Sequence, residues 1–129
     1  MLSPEQITSE RFEELVSEAI DSLDDSIINN LKNVAIVTAD IPTPHQLRKG
    51  GVQRGWLLFG LYEGVPQTGR GNNYSGVLPD KITIFRGPLL VVSSDEDDLK
   101  ARIKNTVWHE IAHHYGLGHG RIKELEQKK

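Results

Sequence analysis

Four of the five histidines of this 129-residue chain fall between positions 109 and 119, in the run His109-Glu110-Ile111-Ala112-His113-His114-Tyr115-Gly116-Leu117-Gly118-His119. Its pattern is H-E-x-x-H-x-x-G-x-x-H. On a helix, at about 100° per residue, His109 and His113 stand about 40° apart around the axis and one turn apart along it. Both imidazoles can therefore reach one ion, and neutral imidazole nitrogens bind zinc at about 2.0–2.1 Å. Glu110 lies about 60° from His113 on the same wheel. That brings its carboxyl near a water on the metal without forcing it into the coordination shell.

Two histidines make an incomplete site. Gly116 lets the chain turn, so His119 can return towards the same ion. Three protein ligands would leave one position for water, which is the pattern of a catalytic zinc rather than a closed structural one. Zinc lowers the pKa of bound water towards roughly 7 and polarises a carbonyl oxygen. Glu110 can take up the water's proton and deliver it to the leaving group. The expectation is therefore a Zn2+ held by His109, His113 and His119, with Glu110 as the catalytic base for peptide or amide hydrolysis. H-E-x-x-H by itself arises by chance on the order of once in a few hundred proteins of this length. The glycine and third histidine lower that by roughly three further orders of magnitude, so the longer pattern carries the argument.

The elements that must position these residues are legible as periodicity. Leu99, Ile103, Val107, Ile111 and Tyr115 form the apolar stripe of a long helix. Ser93-Ser94-Asp95-Glu96 predicts its start near 94 as a capping box, and Gly116 its end. Phe12, Leu15, Val16, Ala19, Ile20 and Leu23 predict an N-terminal helix capped by Thr8 or Ser9. Ile27, Ile28 and Leu31 suggest a short second helix. Val34 to Thr38, apolar on both parities, reads as an interior strand covered on both faces. Strands are also expected at 56–62 and 81–85, with a fourth at 89–92. Residues 42–55 and 63–80 read as long loops rich in proline, glycine and polar residues. Within them, 43–55 and 66–77 are expected to be the most mobile parts, as cleft walls or partner surfaces. Ile122 and Leu125 allow one closing helix. The expected architecture is α+β: a small mixed sheet packed against a long metal-binding helix and an N-terminal helix, forming a single domain over 1–129.

Composition narrows the function classes. The net charge of -3 argues against a dedicated nucleic-acid binder. There are no cysteines, which excludes disulfides, a thiol nucleophile and thiolate ligands, and fits a reducing compartment. No apolar run approaches the ~20 residues that span a bilayer. Acidic residues soon after Met1 differ from a signal peptide. A cytoplasmic protein acting on a peptide or protein substrate is expected, with neither nucleic acid nor membrane as partner; nothing in the sequence sets the oligomeric state.

Several residues near the motif have plainer readings. His114 points about 100° away from His113 and reads as a surface or packing histidine rather than an orienting partner of the metal ligands. His45 lies in a polar segment and reads as solvated. Trp108 and Tyr115 read as core, although Tyr115 or Tyr62 could help stabilise an oxyanion. Arg102 and Thr106 precede the ligands on a similar face and read as lining the interface between helix and sheet. The acidic run 95–98 reads as charge at a helix N-terminus rather than a calcium site.

Residues 109–119 resemble the metzincin motif. Together with Leu58-Phe-Gly-Leu-Tyr-Glu-Gly-Val-Pro66, Leu78-Pro-Asp-Lys-Ile-Thr-Ile-Phe85 and Phe12-Glu-Glu-Leu-Val16, the chain is similar to the minimal zincin-like metallopeptidases of bacteria. That resemblance implies a zincin-like fold, a zinc ion and peptidase chemistry. It also implies a variable third ligand, since an acid often stands where this chain has His119. Metzincins carry a methionine turn beneath the metal; here the only methionine is Met1. Two other functions use the same residues: a zinc-dependent phosphodiester (RNA) hydrolase, because H-x3-H-x5-H also occurs in a bacterial endoribonuclease family, and a non-catalytic interaction module stabilised by zinc.

Overall fold

The computed structural model describes residues 1–25, 27, 34–50, 57–64 and 80–114. Helix α1 (Ser9–Asp21) is followed by β1 (Val34–Ala39), α2 (Pro44–Lys49), β2 (Gly60–Glu63), β3 (Asp80–Phe85), α3 (Arg86–Val92) and α4 (Glu96–His114). The three strands form one sheet in the order β1-β3-β2. β1 runs parallel to β3, and β2 antiparallel to it, so the sheet is mixed as expected and the fold is α+β. No helix among the described residues is long and apolar enough to cross a membrane.

The main core lies where α1, α4 and the sheet meet. Leu99, Ile103, Val107 and Ile111 are all fully buried. Their three- and four-residue spacing places them on one stripe of α4. They pack with Phe12, Leu15 and Val16 of α1 and Ile82 and Ile84 of β3. Trp108 belongs to the same cluster, in line with its core reading. Thr8 caps α1 by accepting from the Arg11 N–H at 3.2 Å. Arg11 in turn reaches α4 through Glu96, with Nε 2.9 Å from Oε1.

The structure corrects several expectations. β1 is an edge of the described sheet and is only partly buried, with Val37 40% exposed. An apolar run with no alternation does not distinguish a covered strand from an edge strand with one face on the core. The expected strand at 89–92 is instead part of helix α3. Pro88 sits in its first turn, where the missing N–H costs nothing. The expected loop at 43–55 contains α2, closed by a capping box: Thr43 Oγ1 accepts from the Gln46 N–H, and the Gln46 side chain accepts from the Thr43 N–H. Thr43-Pro44-His45-Gln46 carries that signal, including proline at the first helical position. The segment therefore is not loop throughout.

β2 is shorter than the expected 56–62 strand, because residues 57–59 have no regular structure. The long helix starts at Glu96, and its cap is Asp95 rather than a Ser93–Glu96 box. Asp95 Oδ1 accepts from the Asp98 N–H at 2.8 Å, while Asp98 Oδ2 accepts from the Ser94 N–H at 2.9 Å. The suggested helix at 27–31, the segment 66–77, the Gly116 turn with Tyr115, and the closing helix at 122–125 fall wholly or mostly outside the described residues.

Candidate metal centre

The last two turns of α4 bring His109, Glu110 and His113 to one cleft of about 460 Å³. The opposite wall comes from β2 and the residues before it, notably Gly60 and Tyr62, while Thr106 continues the helix wall. The His109 and His113 rings lie one turn apart, with centroids separated by 5.3 Å at an interplanar angle of 68°. Glu110 is only 7% exposed, and its Oε1 lies 3.3 Å from His113 Nδ1. The hydrogen bond to Glu110 raises the His113 pKa, and burial opposes part of that rise. With Nδ1 facing Glu110, His113 would offer Nε2 to a metal. Paired neutral imidazoles with a carboxyl neighbour fit zinc by donor chemistry. His119 lies outside the described residues. Among the described residues, no group of three or more His, Cys, Asp or Glu side chains is placed to hold a metal ion.

Gly60 sets how closely β2 approaches the helix. A Cβ there would stand 2.7 Å from Thr106 Cγ2 and 3.2 Å from Glu110 Cγ. A glycine within a strand is a sign of such close approach, and it is the one signal in the sequence that could have pointed to this contact. Gly60→Ala should therefore push Thr106 and Glu110 away from the sheet and destabilise the protein by about 1–3 kcal/mol, the usual cost of overpacking. Denaturant unfolding checks this: the midpoint should fall with little change in slope.

Lys49, at the end of α2, lines the same cleft and reaches Glu63 Oε2 at 3.2 Å. Burial pushes the Glu63 carboxyl up. Hydrogen bonds from Lys49 and Gln46, with the charge of Lys81, outweigh it and hold the group below its ordinary value. Folding lowers this pKa, so its stabilisation is complete above the unfolded-state value and disappears as pH falls through the lower folded value. Acidification through that range should loosen α2 before the main core opens. Amide protection of residues 43–50, corrected for intrinsic exchange, should drop there, and Glu63→Gln should flatten the pH dependence.

The surrounding residues bear out some of their sequence readings and change others. Thr106 is buried and lines the cleft; its hydroxyl donates back to the Arg102 carbonyl. Arg102 is exposed and pairs with Asp98, Nε 3.2 Å from Oδ2. His45 is on α2, exposed as its reading as solvated expects, and does not line the cleft. Tyr62 lines the cleft, but its hydroxyl donates to Asp80 Oδ2 at 2.6 Å, so that proton is directed away from an oxyanion role. Of the two readings of His114, surface or packing, the second holds: it is completely buried, with Nδ1 3.0 Å from Asp80 Oδ2. Sequence reasoning misses Asp80 because it stands 34 residues away in the chain, on a different element.

This fold and cleft go with a family match: residues 31–129 fit the model of the zincin-like metallopeptidases, and the chain belongs to that family. A solved structure, a conserved hypothetical protein from Thermo thermophilus, is similar over 95% of this chain and 100% of its own, with 24% identity and a TM-score of 0.53. That likeness concerns the fold. No curated protein matches the sequence.

Proposed function

We propose that the chain is a zinc-dependent hydrolase of peptide or amide bonds, with His109, His113 and His119 as metal ligands and Glu110 as general base. The observation that carries this reading is the cleft on which the two imidazoles and Glu110 converge. Membership of a metallopeptidase family supports the substrate class and the zinc.

Zinc, when bound, supplies Lewis acidity towards water and towards the scissile carbonyl. Glu110 stands between the two partners it needs: the ligand His113 and the open space of the cleft. Its carboxyl accepts the proton of the attacking water and returns it to the departing nitrogen, so the base regenerates in each turnover. His113 and Gly60 hold that carboxyl in place, one by hydrogen bonding and the other by leaving room for its stem. Tyr62 forms a wall against which a peptide backbone can lie.

The test is elemental analysis of purified protein, followed by assays on a diverse peptide library and on RNA. Zinc near one per chain with peptide or amide cleavage is expected. Cleavage of RNA alone would replace peptide chemistry with phosphodiester hydrolysis. Full zinc loading without turnover on any substrate would make the centre a stabiliser of a binding module.

A further inference from the structure

Behind the cleft stands a buried polar cluster that the hydrolytic chemistry does not use. Asp80 opens β3 and is 1% exposed; His114 ends α4 and is fully buried. His114 Nδ1 and the Tyr62 hydroxyl both meet Asp80 Oδ2, at 3.0 Å and 2.6 Å. The Tyr62 and His114 rings also touch edge to face, with centroids 5.7 Å apart. The end of β2 is shaped around the same carboxyl group. Gly64 has φ +155°, and a Cβ there would collide with the Asp80 side chain. Thus the end of β2, the start of β3 and the end of α4 converge on one carboxyl group.

The location of this cluster gives it a role. His113 is next to His114 in the last described turn of α4. Tyr62 is both a partner of Asp80 and part of the cleft wall. A ligand whose segment is not already held in place loses more conformational freedom when it binds a metal, and that loss weakens affinity. We propose that Asp80 is a positioning residue for the metal centre: it ties His114 to Tyr62, anchors the last turn of α4 to β2, and so holds His113 in register with His109 and the cleft wall. Apolar packing would bury the helix end as well, but two hydrogen bonds to one oxygen also specify its rotation and register. This inference rests on the zinc reading above.

The experiment uses the full chain with Asp80→Asn and Tyr62→Phe, and Asp95→Ala as a control that removes the cap at the far end of α4. Three quantities are measured: amide exchange of 110–114 without metal, zinc affinity by competition with a chromogenic chelator, and the visible spectrum of the cobalt(II)-loaded protein. Asp80→Asn and Tyr62→Phe should speed exchange at 110–114 while residues 99–105 keep their protection. They should weaken zinc by about 10-fold or more, within the range known for partners that orient ligands, and shift the cobalt bands. Asp95→Ala should lower stability and leave zinc affinity and cobalt spectrum unchanged. Tyr62→Phe keeps the ring and its packing, so it decides the matter should Asp80→Asn fail to fold. Wild-type zinc affinity and cobalt spectrum in folded Tyr62→Phe would overturn the positioning role. Equal loss of affinity in Asp95→Ala would also overturn it, by making the effect one of general stability. A wild-type chain that takes up neither zinc nor cobalt overturns the metal reading and this role with it, and the wild type alone distinguishes that outcome.

Discussion

Glu110→Gln should retain zinc and the fold yet slow hydrolysis by about 100-fold or more, the usual scale for a positioned general base. Glutamine has nearly the same shape as glutamate, so it fits between Gly60 and His113, where Glu110 is 7% exposed. Its amide oxygen can still accept from His113 Nδ1, now 3.3 Å from Glu110 Oε1. What it loses is the basicity to accept a proton from water. A 100-fold loss corresponds to about 2.7 kcal/mol of transition-state stabilisation. Steady-state kinetics on any cleaved peptide, with zinc content measured on the same sample, checks this. Unchanged hydrolysis would assign the chemistry to another residue or to a contaminant. Loss of zinc would make Glu110 a ligand.

The second large effect concerns the metal itself. His109→Ala or His113→Ala should weaken zinc by on the order of 100-fold or more, beyond the roughly 10–100-fold that loss of an outer partner costs. The two rings are one turn apart on one helix, and no neighbouring described side chain completes a metal set in place of either. His119→Ala should cost less, because water or a nearby acid can take that position. Zinc bound by the folded state adds stability that grows with the ratio of free metal to dissociation constant. The same variants should therefore lose the rise in thermal midpoint that zinc gives the wild type. Elemental analysis and melting curves with and without zinc measure both effects. A wild-type protein that stays metal-free in excess zinc would remove the basis for both substitutions.

The face of α4 that carries chemistry is readable from spacing, because helical geometry is local. Residues four apart share a face wherever the helix forms, so placing His109 beside His113 needs no knowledge of the rest of the chain. The apolar stripe from Leu99 to Ile111 and that of α1 are legible for the same reason. Capping is equally local, yet it competes with other local signals. Thr43-Pro44-His45-Gln46 is a start signal, but the glycines that follow it make the segment read as loop. Helix α3 reads as a strand because four apolar residues fit either period, and only Pro88 in its first turn argues for the helix.

Other features exist only once the elements have packed. β1 is an edge of the described sheet because β3 lies between it and β2, an order that hydrophobic pattern does not encode. Gly60 acquires its significance from Thr106 and Glu110, some fifty residues further along the chain. Asp80, Tyr62 and His114 belong to three elements, and His114 read alone is only the neighbour of a ligand. Local sequence determines dihedral preference and periodicity, which set what a helix can present. The meeting of a carboxyl, a phenol and an imidazole at one buried point is set by long-range packing, where hydrophobic burial decides which faces meet and sterics decide how closely.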